Sequence, residues 1–448
     1  MLLCAVSLQA QEKAWTLPDC IRYGMDHNIS VKQRELAAEN SDLTLETTRY
    51  SRLPGLSASL GETFYFGRTP DRDGVYQDQT GSNASFGINA NLSIFNGFQT
   101  THKIKADQAE AEASRKDLIQ TKEMTALSVT GFYLQALLTA ELQEIARQQV
   151  ELNRQQVEKA KVLVAGGKSS ESELYDAQAA LAEQQVALTE ASNNWRLALL
   201  DLMQAMNYTD DPAGFEIVIP NVPQMVDAET ARLWVPEQVY SQAVAQRPGV
   251  LAAQYRVQSS ERTVKMAQGA YYPSVHLGAG YSNSYYYNYS LATGMSNASL
   301  ADQWAQNGAE SVGLSVSIPL FNKMATKNQV RAARLNQKSQ QYALDQVKTD
   351  LYKEVQQAYY NATAAREKYN SCRQSVAAAQ LAFDFEQKKY DAGRSNSYDF
   401  NQVRVRLATA LSQEAQAKYT FVLRSRILAY YNGSGLDELT DALRNYFE

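Results

Sequence analysis

Residues 83–100 read NASFGINANLSIFNGFQT, and their odd and even positions differ sharply in polarity. The even positions from 84 to 94 are all apolar, whereas the odd positions between them are Ser, Gly or Asn. Side chains of a strand point alternately to opposite faces, so the pattern predicts one strand with an apolar face and a polar face. Two different environments must therefore flank this strand, in a chain whose remaining sequence is mostly helical in pattern.

The composition argues against several classes of protein. A length of 448 residues predicts two or more structural units. The net charge of −5 and the pI near 5.5 argue against a protein that binds nucleic acid, because such proteins usually carry a basic stripe. No run of 18 apolar residues exists, so the sequence predicts no membrane-spanning helix.

The N-terminus indicates a processed leader, and the spacing of the Cys and His residues argues against metal binding and catalysis. Residues 1–10 end in Leu-Gln-Ala and lack a basic start, so we expect a truncated signal peptide that is cleaved near Gln11. Cys20 and Cys372 lie far apart, and the three histidines are scattered without metal-ligand spacing. The sequence therefore predicts no metal site, no cofactor and no catalytic set of side chains.

The chain repeats itself. LSIFNGFQT at 92–100 matches VSIPLFNKMAT at 316–326, with Phe95-Asn96 aligned on Phe321-Asn322 at an offset of 226 residues. The same offset aligns GKSSESEL at 167–174 with GRSNSYDF at 393–400. Matches of this kind along the chain predict two copies of one structural unit.

Each copy is predicted to contain two strands, one very long helix and a second helix. The strands are predicted at about 55–66, 84–95, 274–288 and 311–321. The long helices are predicted at about 97–165 and 324–391, and the second helices at about 168–207 and 395–431. A helix of this length would extend for roughly 100 Å. Each second helix has an apolar residue at every seventh position, from Leu174 to Leu202 and from Phe400 to Leu428, with one interruption at Glu414. This spacing predicts a packing seam between helices.

These elements predict the organisation of the chain. After the signal peptide, the first repeat occupies residues 11–210 and the second occupies 246–433. Residues 211–245 are predicted to form a linker region and residues 434–448 a C-terminal tail.

The strands alone leave two interpretations open. Four strands cannot close a barrel within one chain, and open sheet edges are not tolerated in lipid. Four strands from each of three chains would give twelve, an even number that suits an outer-membrane barrel. The polar faces would then line a water-filled lumen. The residues predicted to face lipid are Phe86, Ile88, Leu92, Ile94, Leu277, Tyr281, Leu314, Val316 and Ile318. The alternative is an ordinary sheet in a non-channel periplasmic or surface coiled-coil structural protein.

The chain resembles the TolC family of outer-membrane efflux proteins in its two tandem copies of helix, strand, strand, long helix, turn and helix. The sequences LSIFNG and VSIPLFN at the ends of the second strands add to the resemblance. The resemblance covers about residues 16–433. It implies a mainly α fold with a membrane β-barrel part, in which a homotrimer forms a twelve-stranded barrel in outer-membrane lipid and an α-helical tunnel in the periplasm. It also implies that residues 211–245 and the tail belong to an equatorial region.

The resemblance implies a function and partners as well. The trimer would be the passive exit duct of a tripartite efflux or type I secretion system. It would dock to a periplasmic adaptor protein and to an inner-membrane efflux pump or ABC exporter. Enzyme activity, a cofactor and nucleic-acid binding are not implied.

The family resemblance places a narrow tip at the two helix turns, where acidic residues guard the pore. In the family, an acid follows the turn glycine by six residues. Here Asp399 follows Gly393, and Glu173 follows Gly167, which is preceded by Gly166.

The tip also departs from the family pattern. The second copy of the family often has another acid three positions further on, where this chain has Gln402, whereas the first copy has Asp176. Arg394 and Lys168 adjoin the turn glycines and are candidates to pair with the acids or to contact a partner. The competing interpretation is that Asp399 and Glu173 are solvated acids that interact with the helix dipole.

Overall fold

The computed structural model describes residues 14–70, 73–220, 234–291 and 294–433. The predicted signal peptide and the predicted C-terminal tail lie outside the described residues, as does part of the predicted linker region.

The described residues are mainly helical and contain one sheet, which confirms the predicted fold class. The helices are α1 (Leu17–His27), α2 (Ile29–Tyr50), α3 (Gln99–Ala165), α4 (Glu171–Met206), α5 (Pro236–Gln246), α6 (Pro248–Gly269), α7 (Leu300–Gln306), α8 (Ala325–Asp391) and α9 (Ser397–Tyr431). The strands are β1 (Gly55–Pro70), β2 (Tyr76–Asn96), β3 (Ser274–Asn288) and β4 (Ala309–Ser317). Within the described part of the chain, no helix is both long and apolar enough to cross a lipid bilayer.

The four strands form one antiparallel sheet in the order β1-β2-β3-β4. Residues that are directly opposite in an antiparallel pair share a face of the sheet. One such row joins Leu56, Ala90, Ala279 and Val312, and the next on the same face joins Ala58, Ile88, Tyr281 and the charged Glu310. The apolar positions of all four strands therefore share a single face. The other face carries Ser, Asn and Gly, as in the row Ser59, Gly87 and Ser282.

A β-bulge interrupts the regular alternation near the end of β2. The register shifts between Ser93 and Phe95, so that Phe95 is opposite Val275 and Ile94 is the additional residue. A bulge adds one unpaired residue and increases the local twist of the strand. The alternation predicted as far as Ile94 therefore stops at Ser93, and Phe95 continues the apolar face.

The hairpin between β1 and β2 is longer than predicted. The predicted strands end at about residue 66 and begin again at about residue 84, whereas β1 continues to Pro70 and β2 begins at Tyr76. Backbone pairing extends beyond the apolar pattern because ladder hydrogen bonds do not require apolar side chains. The side chains of Arg68 and Asp78, which are opposite in this extension, approach to 3.3 Å.

The other hairpin also differs from the predicted one. β4 ends at Ser317, before Pro319, because proline has no N–H with which to continue a ladder. The predicted strand had extended to residue 321, so Ile318 lies just beyond β4. The segment between β3 and β4 contains α7, which the sequence did not predict. The side chain of Asn283 in β3 donates a hydrogen bond to Trp304 O in α7 at 2.7 Å.

The chain divides into two compact units, and each takes residues from both sequence repeats. The first unit contains the described residues up to Ala38, those within Ser114–Ala252 and those from Leu344 onward. Its core includes the fully buried side chains of Ile21, Tyr133, Leu202 and Phe421. The second unit contains Glu39–Ala113 and Ala253–Ala343, and it includes the whole sheet. Tandem repeats are therefore interleaved in space and are not separate domains.

Candidate functional site

The two helix turns of the predicted tip have the same backbone geometry. After α3, the N–H of Gly167 donates to Val164 O at 3.0 Å and that of Lys168 donates to Leu163 O at 2.9 Å. After α8, Gly393 and Arg394 donate in the same way to Tyr390 and Lys389, at 3.1 and 2.8 Å. This pair of bonds is the Schellman motif, which requires a left-handed residue. Gly167 and Gly393 supply it, with φ of 68° and 71°.

The predicted pore acids begin the helices that follow these turns. Ser170 Oγ accepts a hydrogen bond from the N–H of Glu173 at 3.4 Å, and Asn396 Oδ1 accepts one from the N–H of Asp399 at 2.8 Å. Each acid therefore occupies the third position after an N-cap, where a negative charge interacts favourably with the helix dipole. Both side chains are exposed, so their place in the fold is compatible with a pore and with a helix-end role.

A cavity of about 400 Å³ lies beside the turns and joins the two repeats. Glu173 and Asp176 from α4 line it, together with Asn396, Tyr398 and Asn401 from α9. No Lys or Arg is among the lining residues, so the cavity carries a net negative charge. Asp399, Gln402, Arg394 and Lys168 do not line it.

The ion pairs at the turns are not the ones predicted from sequence. Among the described residues, neither Arg394 nor Lys168 pairs with a predicted pore acid. Instead, Lys159 Nζ lies 2.9 Å from Asp391 Oδ1 and 4.1 Å from the centre of the Tyr390 ring. This contact ties the end of α3 to the end of α8.

A second contact closes the α8 turn. Ser395 donates a hydrogen bond from its hydroxyl to Glu386, and Lys389 Nζ lies 3.0 Å from the same carboxylate. These two donors, the hydroxyl first, hold the pKa of the Glu386 carboxyl below its usual value. The contact stabilises the turn while Glu386 is ionised, above the pKa of the unfolded chain, and is lost as the pH falls through the lowered pKa.

Arg404, about one helical turn beyond the tip, is a buried arginine that was not among the residues predicted from sequence. Arg404 is only 4% exposed, and its Nε and Nη1 have no hydrogen-bond partner among the described residues. Burial lowers the pKa of this guanidinium. The available signal was its spacing, because Arg404 follows Phe400 by four residues and precedes Leu407 by three, which places it on the apolar face of α9.

The turn glycines allow a direct test of the backbone geometry. We expect Gly167→Ala to destabilise the folded protein by about 1 kcal/mol, since a Cβ strains a left-handed residue. An added Cβ would meet no atom within 4 Å, so crowding does not contribute. Gly166→Ala is the matched control, because its φ is ordinary and its nearest neighbour would be Val162 O at 3.4 Å. Thermal unfolding of both variants should show a loss for the first alone, and equal effects would contradict the assignment.

Comparison with known proteins places this geometry in a family. The sequence profile of the family described as "Outer membrane efflux protein" matches residues 26–208 and 239–433, one segment in each repeat. The chain is similar to the outer membrane efflux protein BepC of Brucella suis, with 24% identity over 82% of this chain and 74% of BepC. It is also similar to the protein CyaE of Bordetella pertussis, with 23% identity over 94% of this chain and 84% of CyaE.

A solved structure shares the fold. The outer membrane channel CmeC of Campylobacter jejuni superposes with a TM-score of 0.77 at 16% identity, over 96% of this chain and 89% of CmeC. The family profile covers well over half of the sequence, and the resemblance to TolC proteins is confirmed. The chain therefore belongs to the outer membrane efflux protein family, whose members are channels of the outer membrane with a helical tunnel in the periplasm.

Proposed function

We propose that this efflux protein acts as a homotrimer in which three four-stranded sheets close into one twelve-stranded barrel. The observation that carries the proposal is the sheet itself, which has a largely apolar face, interrupted by Glu62 and Glu310, and two edges, β1 and β4, that pair on one side only. All nine residues of β4 are exposed in the single chain. Unpaired backbone groups are too costly in lipid, so each edge requires a partner strand from another copy.

The apolar face of the sheet would contact outer-membrane lipid. Large side chains on this face are strongly exposed in the single chain, with Leu56 at 76%, Leu60 at 84% and Leu314 at 63%. A patch of this kind is unfavourable in water and is typical of a surface that another molecule or a membrane covers. The predicted residues Phe86, Ile88, Leu92, Leu277, Tyr281 and Val316 share that face by register. The Ser-rich and Asn-rich face would line the lumen.

The trimer would conduct its cargo passively and would have no catalytic step. A periplasmic adaptor protein and an inner-membrane pump or ABC exporter would supply the energy and the cargo. Relatives named for export support this role, including the pyoverdine export protein OpmQ of Pseudomonas putida and the toxin and drug export protein A of Aggregatibacter actinomycetemcomitans. The alternative of a non-channel coiled-coil protein leaves the exposed apolar face and both open sheet edges unexplained.

The decisive experiment is the mass of the protein extracted from membranes in detergent, corrected for bound detergent. We expect a trimer that precipitates when the detergent is removed. A monomer or dimer that stays soluble without detergent would leave the four strands unable to close, and the proposal would fail.

The position of Asp399 at the tip leads to a separate prediction about the ion selectivity of the pore. Three copies of Asp399 around the pore axis would favour cations, as carboxylate rings do in channels. We expect Asp399→Lys to lower the preference for cations severalfold in single-channel recordings, and Gln402→Asp to raise it. A variant that loses thermal stability but keeps its reversal potential would show that Asp399 serves only the helix end.

A further inference from the structure

The second compact unit has a belt of positive charge where its helices join the sheet. Four connecting segments (47–54, 97–106, 262–273 and 318–337) contain ten Lys or Arg residues and no Asp or Glu, whereas the whole chain has a net charge of −5. Glu46, Asp107 and Glu261 directly flank the segments, and Asp107 pairs with Lys103 at 2.6 Å. We call the ten Lys and Arg residues the cationic collar. Its members are Arg49, Arg52, Lys103, Lys105, Arg262, Lys265, Lys323, Lys327, Arg331 and Arg334.

The collar contains a formed groove between α6 and α8. Its volume is about 630 Å³, and Lys327, Arg331 and Arg334 line one wall. These residues are four and three positions apart, so they lie on one face of α8. None of the three forms an ion pair with any residue that the structure describes, and no acid lines the groove. Three unpaired cations around one cavity repel one another, and an anion would relieve that repulsion.

Two tyrosines form the opposite wall of the groove and indicate its level in a membrane. Tyr271 and Tyr272 line the groove and are 55% and 57% exposed, directly before β3 begins at Ser274. The other end of β3 carries another group of tyrosines, between residues 281 and 289. Girdles of aromatic residues mark the two interfaces of a membrane β-barrel.

The length of β3 fits that interpretation. Its 15 residues span roughly 50 Å along the strand, and the usual strand tilt reduces this to roughly 40 Å across the membrane. That distance is close to the thickness of a bilayer with its headgroups. The groove therefore lies at the level of the headgroups in the leaflet that faces the helices.

We propose that the groove binds the phosphate of an anionic phospholipid headgroup in the periplasmic leaflet of the outer membrane. The guanidinium groups of Arg331 and Arg334 offer paired donors to phosphate oxygens, and Lys327 adds a third charge. The rings of Tyr271 and Tyr272 would lie at the boundary between headgroup and acyl chain. This inference rests on the proposed position of the strands in the membrane.

The test is native mass spectrometry of the delipidated trimer, titrated with phosphatidylglycerol or with zwitterionic phosphatidylcholine. We expect the wild type to prefer phosphatidylglycerol, and the triple variant K327Q/R331Q/R334Q to bind it on the order of tenfold to a hundredfold more weakly. The control is K353Q/K368Q/R373Q, which removes the same charge from exposed residues of the same helix and should keep wild-type affinity.

Additional variants and a competition experiment distinguish the ways in which the lipid-binding proposal could be wrong. If the triple variant does not assemble, Arg331→Gln alone should weaken binding and Arg331→Lys should recover part of it. Equal binding of both lipids, or equal loss in the control variant, would overturn the inference. Full competition by glycerol 1-phosphate would assign the groove to a free phosphate and would also overturn it. The same spectra report the oligomeric state, so a trimer without lipid preference refutes this inference alone, whereas a detergent-independent monomer refutes the proposed function.

Discussion

Replacing Gly97 with alanine is expected to destabilise the protein by at least about 3 kcal/mol and to prevent recovery of folded protein. Gly97 ends the FNG motif after β2, and its φ is +66°. A Cβ at this position would lie 2.1 Å from the carbonyl oxygen of Gly269 at the end of α6 and 2.9 Å from Tyr272 Cβ. Backbone cannot move aside as a flexible side chain can, so the contact between strand end and helix end would be lost. Thermal unfolding in detergent and the yield of folded protein measure the effect.

The second repeat provides a control of opposite sign. Lys323 and Met324 occupy the positions equivalent to Gly97 and Phe98. The φ angle is 54° at Lys323 and 66° at Gly97, and it is 65° at Met324 and 64° at Phe98. Lys323 therefore carries a Cβ in the left-handed conformation, at a cost of about 1 kcal/mol. Lys323→Gly should raise the unfolding temperature slightly. A small loss for Gly97→Ala, or a loss for Lys323→Gly, would contradict the geometry.

Removing the carboxylate of Glu123 is expected to cost about 3 to 5 kcal/mol of stability in the first unit. Glu123 Oε2 lies 3.1 Å from Arg247 Nη1, and the two side chains are only 12% and 10% exposed. Tyr430 donates its hydroxyl to the same oxygen at 2.9 Å, and burial raises the pKa of that hydroxyl, which keeps the donor protonated. The guanidinium carbon of Arg247 is 3.6 Å from the centre of the Tyr430 ring. Loss of Glu123 would therefore leave a buried charge without a counterion.

A double-mutant cycle with Glu123→Gln and Arg247→Met tests this pair. We expect each single variant to be strongly destabilised and the double variant to lose much less than the sum, because the second change removes the uncompensated charge. Additive losses would mean that the two residues act independently. The control is Glu110→Gln, whose partner Arg256 is 3.7 Å away and more exposed, so the loss should stay below about 1 kcal/mol.

The apolar and polar faces of the opening stretch were predictable because strand alternation is local. Each even position from 84 to 92 lies on the apolar face in the structure, as its two-residue period required. The turn at Gly166 and Gly167 was predictable for a similar reason, since only glycine readily adopts the left-handed residue that ends a helix. The offset of 226 residues also predicted that Gly393 would form an identical turn, and the hydrogen bonds of the two turns match.

Other features depend on residues that the chain brings together from a distance. The bulge at Ile94 follows from pairing with β3, which lies about 180 residues further along the chain. Glu123 and Arg247 are separated by 124 residues, and neither belongs to a pattern that marks it as buried. The tip cavity collects Asp176 and Asn396 from different repeats, and the groove collects Tyr271 from the turn after α6 and Arg331 from α8.

The sequence by itself therefore determined the repeat, the type of each main element, the turn glycines and the apolar face of the sheet. Periodicity and backbone conformation are properties of a short segment and survive in any arrangement of the chain. The tertiary structure alone decided the strand register, the buried ion pair, and which cations and tyrosines surround one groove. Those features depend on which helices and strands pack side by side, and packing is settled by the shape of the whole core rather than by any one segment.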